Sequence, residues 1–129
     1  MLGAVSATDD DRYERGMARY LEVYGQDAVV FERGAAPFFD LMIEQLFAEV
    51  WTRPALSIAQ RRLISMSVTA ARGRFETLRL QFVQALLEGE LTPDQVREFV
   101  LHIVPYVGYP FSGELHATAE AAITAAAAK

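Results

Sequence analysis

Three short stretches hold the side chains best suited to moving protons. "EVWTRP" carries Glu49, Trp51 and Arg53, "LRLQF" carries Gln81, and "LHIVPY" carries His102 and Tyr106. A carboxylate or an imidazole can give and take a proton near neutral pH, whereas an amide can only donate or accept a hydrogen bond. An indole offers a flat apolar platform and a guanidinium pairs with an acidic group. Together these types could serve acid/base work or the binding of a small molecule.

Their spacing sets polar groups on apolar stripes, where a group must be paired or it costs free energy. Phe38, Met42, Gln45 and Glu49 share one side of a helix; Gln81 falls between Leu78 and Ala85; His102, Tyr106 and Tyr109 share a face with Phe99. Each also has a plain structural reading. Glu49 can be a solvated helix-end carboxylate or a partner of Arg53, Gln81 can satisfy a backbone group, His102 can pair on the surface with Glu98, and Trp51 can fill a core or a subunit interface. Arg61 and Arg62 are expected to face solvent or a neighbouring subunit, and His116 has no evident partner.

The elements that must position these groups read as helix after helix. Thr8 and the run Asp9, Asp10 and Asp11 suit a helix start and Gly25 its end, giving a first helix near 9–24. After an ill-defined stretch around "QDAVVFERG", Pro37 opens a helix with Phe39, Ile43, Leu46 and Val50 at helical spacing, and Pro54 ends it. Ser57 with Gln60 starts the next, closed by Gly73. Its run from Leu63 to Ala71 is almost free of charge and predicts a central helix. "FETLRLQFVQALLEG" follows to Gly89, and Thr92, Pro93 and Gln95 form a second capping signature. Pro105 is expected to kink or end that helix near Leu101 and His102, and a last Ala-rich helix runs from about Phe111 toward Lys129. No strand alternation is evident. The expected fold is all-α, one domain over residues 1–129 with its core at about 13–120, a bundle of six to seven helices.

Composition removes whole classes of function. Cysteine is absent, which excludes disulfides, thiolate nucleophiles and thiolate metal sites. With only two histidines, a zinc site would need carboxylates at unsupported spacing, so no metal is expected. The 12 Lys and Arg are scattered against 17 Asp and Glu, for a net charge of -5, so nucleic acid is not an expected partner. No apolar run is long enough to span a bilayer, and the opening "MLGAVSATDDDR" lacks the basic start of a leader, so a cytoplasmic protein with no membrane partner is expected. There is no GxSxG, phosphate loop or dinucleotide fingerprint.

"YERGMARYLEVYG", "EVWTRPAL", "RRLISMSVTAARGRFETLRLQF" and "ALLEGELTPDQVREFVLHIVPYVGYP" together resemble the carboxymuconolactone decarboxylase family, in order and spacing, over about residues 13–120. The resemblance implies an alkylhydroperoxidase D-like helical fold that assembles into homo-oligomeric rings, commonly trimers or hexamers. It also implies decarboxylation of a carboxylated lactone without metal or organic cofactor. Peroxide-reducing relatives need a CxxC pair that is missing here, so peroxidase activity is excluded. Where the decarboxylases usually carry a histidine, in a stretch like "LxLH", this chain has Gln81; His102 stands where a glutamine is common, and Pro105 where a small or aliphatic residue is usual. The departure implies a divergent member in which Glu49 or His102 carries the proton while Trp51, Arg53, Gln81 and Tyr106 bind or shape a small-molecule substrate such as a lactone or keto acid. The alternatives are an isomerase or cyclase using the same enol chemistry, and a non-catalytic ligand-binding or scaffold oligomer.

Overall fold

No proline interrupts the chain before Tyr24. In the computed structural model, which describes residues 2–129 and the side chains from Asp9 onward, α1 accordingly spans Leu2–Tyr24. Thr8 is therefore not a cap: the helix passes through it, and Asp9, Asp10 and Asp11 lie inside. Gly25, at φ 89°, ends it as the capping pattern requires. The remaining elements are α2 (Pro37–Leu41), a π-helix (Met42–Val50), α3 (Ile58–Ala71), α4 (Phe75–Leu87), α5 (Pro93–Val107), a 3-10 turn (Tyr109–Phe111) and α6 (Ser112–Ala127). The described residues contain no strand, and the fold is all-α. They divide into two compact units, Met1–Ile58 and Ala59–Lys129.

In the first unit, α1 packs against the π-helix around an aromatic cluster. Tyr20 meets Phe39 and Phe47 edge-on at 5.4 and 5.2 Å, and its hydroxyl donates to the Val29 carbonyl. The contact is close because Gly16 faces Ile43: a Cβ on Gly16 would sit 2.1 Å from the Ile43 carbonyl oxygen. The stripe expected on this segment is only half kept. Phe39, Ile43, Phe47 and Trp51 are buried, while Leu46 and Val50 are exposed. The π-helix is the reason. A bond to the fifth residue back, as from the Trp51 N–H to the Leu46 carbonyl at 2.9 Å, widens each turn, so residues four apart stay in line and those three apart swing away.

In the second unit, α4 and α5 both pack on α6 around Met66, Leu78, Phe82, Val96, Leu115 and Ala119. Gly73 (φ 68°) and Gly89 (φ 72°) make the sharp exits from α3 and α4. Thr92 and Gln95 form the expected capping box, the Gln95 N–H donating to Thr92 Oγ1 at 3.2 Å and the Thr92 N–H to Gln95 Oε1 at 2.9 Å. Three expectations need correction. Of the kink or end expected at Pro105, the end does not occur: α5 runs through Pro105 to Val107, and the Gly108 N–H closes it on the Val104 carbonyl. The helix α3, whose run from Leu63 to Ala71 carries no charge, is not central, since Leu63, Ile64 and Val68 are exposed and only one of its faces is covered. Arg62 does not face solvent: it is fully buried, its Nε donating to Glu90 Oε1 at 2.7 Å.

Candidate functional site

Glu49 lies one residue from the end of the π-helix, on its exposed side. Its carboxylate meets Arg12 of α1 at 3.3 Å, with both side chains partly in water. The pairing depends on the crossing of α1 over the π-helix at Gly16 and Ile43, one helical turn along α1 from Arg12. Thr52 closes the helix end by donating to the Ala48 carbonyl at 2.6 Å. Trp51 is only 6% exposed, its indole stacked on Phe47 at 6.0 Å, so it belongs to the aromatic core of its unit. Arg53 follows on the exposed turn after the helix.

Gln81 is fully buried on α4, beside Phe82, whose ring packs edge-on against Phe99 of α5 at 5.2 Å. Phe99 shares its face of α5 with His102 and Tyr106. Those two are exposed, and their rings lie 5.5 Å apart at 41°. His102 thus contacts Tyr106 rather than Glu98. An imidazole and a phenol side by side, both open to water, can each offer a hydrogen bond to a ligand.

The structure therefore brings His102 and Tyr106 together, sets Glu49 against Arg12, and buries Gln81 and Trp51 in the cores of their own units. Arg12 was missed by the sequence reading because its partner lies on another element. The buried Arg62–Glu90 pair was also missed. The one clue was an arginine at the heptad-like position before Met66 and Ala70, at steps of four, on the buried face of α3. Among the described residues no group of His, Asp or Glu is gathered as a metal site, and no helix is long and apolar enough to cross a membrane.

Comparison with known proteins bears on the same segments. The profile of the Carboxymuconolactone decarboxylase family matches residues 36–128. A 4-carboxymuconolactone decarboxylase of Acinetobacter baylyi is 30% identical over 109 residues, covering 81% of each chain. A nitrosuccinic acid decarboxylase of Metarhizium robertsii is 31% identical over 113 residues, covering 81% of this chain and 78% of its own. No solved structure gives a significant match. With the profile running from before the Glu49 segment to residue 128, the chain belongs to the carboxymuconolactone decarboxylase family.

Proposed function

We propose that this protein is a lyase of the decarboxylase type, acting without a cofactor on a small carboxylated lactone, keto acid or similarly activated acid. The observation that carries the reading is the exposed His102–Tyr106 pair on α5, in a chain whose relatives are named as decarboxylases. Breaking the bond to the carboxylate leaves an electron pair, which moves onto the oxygen of the neighbouring activating group. Tyr106 donates a hydrogen bond to that oxygen as its charge grows. The imidazolium of His102 then returns a proton to carbon, and water recharges the ring, which its exposure permits.

Glu49, held by Arg12, is the second proton carrier, and Arg53 binds the substrate's acidic group. Gln81 and Trp51, each buried in its own unit, take structural roles. The amide at Gln81 cannot shuttle a proton, so the acid/base role has moved off α4. The exposed apolar side chains Leu63, Ile64 and Val68 on α3 support assembly into a homo-oligomer; the form proposed is a trimer or hexamer in the cytoplasm. The burial of Gln81 and Trp51 is what favours the alternative, an oligomer of the same fold that binds a ligand without turning it over.

The two are separated by following carbon dioxide release from 4-carboxymuconolactone and from nitrosuccinate by the purified protein. Release well above the buffer rate from either one supports the enzyme. Saturable binding of both with no release supports the alternative.

A further inference from the structure

On the side of α5 away from His102 and Tyr106, the helix and α6 leave an open groove of about 420 Å3. Val100, Leu101 and Val104 of α5 form its apolar wall, and Tyr109, Ser112 and His116 stand along the other side. Helical geometry separates the two faces: residues 100, 101 and 104 point one way, and 99, 102 and 106 the other. The groove is thus distinct from the acid/base pair, and it is built within the second unit alone.

From these residues we infer that the groove is a second small-molecule site, taking a flat aromatic or unsaturated ring that bears one carboxylate. The wall is made of branched aliphatic side chains, and Leu101 on it and Tyr109 on the other side are 67% and 71% exposed, a surface that a ring would cover. The polar side suits an acidic group. Among the described residues neither Tyr109, Ser112 nor His116 makes a side-chain hydrogen bond, so a phenol, a hydroxyl and an imidazole are all available as donors. Glu120, one turn after His116, has its carboxylate held by Arg97 through two bonds at 2.9 and 3.1 Å, and it makes no hydrogen bond to the His116 ring. Room for a ligand also shows at Gly113, which lines the groove in the first turn of α6: a Cβ built there meets nothing within 4 Å. The volume lies in the range of small-ligand sites and is open on one side, which fits weak, reversible binding.

The test is an NMR titration of the full chain with benzoate as the probe and benzamide as its uncharged counterpart. The expected result is saturable shifts in the amides of Leu101, Ser112, Gly113 and His116 with benzoate. Affinity should fall about tenfold with benzamide and with His116→Ala, and binding should be lost with Gly113→Leu, which fills the groove. Thermal unfolding of both variants without ligand shows whether they keep the fold. Benzoate shifts confined to residues near Glu49 or His102, equal binding by benzamide, or equal binding by Gly113→Leu would each overturn the assignment. So would groove shifts that appear on raising protein concentration alone, since a second copy would then be the occupant.

Discussion

Gly16 and Ile43 touch backbone to backbone: no side-chain atom on Gly16 could be accommodated without moving the Ile43 carbonyl, which would lie 2.1 Å from it. That carbonyl belongs to a helix and cannot swing aside as a flexible side chain would. Gly16→Ala should therefore destabilise the first unit by about 3 kcal/mol or more, at the upper end of overpacking costs. Gly113→Ala is the internal control. Its Cβ meets open space inside a helix, and the change should be neutral or stabilise by about 0.5–1 kcal/mol. Urea unfolding followed by Trp51 fluorescence reports the first, and circular dichroism reports both.

Arg62 and Glu90 form a pair that is costly to break. The arginine side chain is 1% exposed and the glutamate 15%, so removing the carboxylate leaves a buried cation. Glu90→Ala should cost about 3–5 kcal/mol. Replacing both at once, Arg62→Met with Glu90→Leu, should cost clearly less than the two single changes added together. Equal or additive losses would mean that the pair is not coupled.

The Arg97–Glu120 clasp ties α5 to α6 and should give the second unit a pH dependence. The hydrogen bond from Arg97 first, and the charges of Arg97 and His116 as well, hold the Glu120 carboxyl below its usual range. Near pH 4 the folded state then binds fewer protons than the unfolded one, so stability rises with pH there. The contribution is fully present above the ordinary value of 4.5 and is lost as pH falls through the lower folded value. Tm measured from about pH 6 down to about pH 3 should fall less steeply in Glu120→Gln than in the parent, with the residual slope carried by groups such as Glu76, which Arg79 holds low in the same way. Both side chains of the clasp are partly in water, so added salt should shrink the difference.

Thr92 closes the start of α5 through a reciprocal pair of hydrogen bonds with Gln95. Thr92→Ala should lower stability by about 1 kcal/mol, read as a shift in urea midpoint with an unchanged slope.

Much of this was legible in the sequence because the controlling chemistry is local. Gly25, Gly73 and Gly89 mark helix ends through their backbone freedom, and Thr92 with Gln95 marks a start, each within four residues of what it controls. What was not legible was set by partners far along the chain. The π-helix over Met42–Val50 leaves no mark in residue types, yet it decides that Trp51 turns inward while Val50 turns out. Arg62 looked solvent-facing because Glu90, which makes its burial tolerable, is 28 residues away. The same limit applies at the site. Gln81 was visible as a departure from the family pattern, but that it is fully buried, that His102 meets Tyr106, and that Glu49 meets Arg12 all depend on how the helices pack.

The central claim is that His102 and Glu49 have taken over the proton chemistry that Gln81 cannot perform. It is tested most directly by kcat for carbon dioxide release in Glu49→Gln, His102→Ala and Gln81→Ala beside the parent. The account predicts that each of the first two lowers kcat by about a hundredfold or more, the size expected for loss of a positioned acid or base. Gln81→Ala should act mainly through stability. Full activity in both Glu49→Gln and His102→Ala, with the protein still folded, would contradict it.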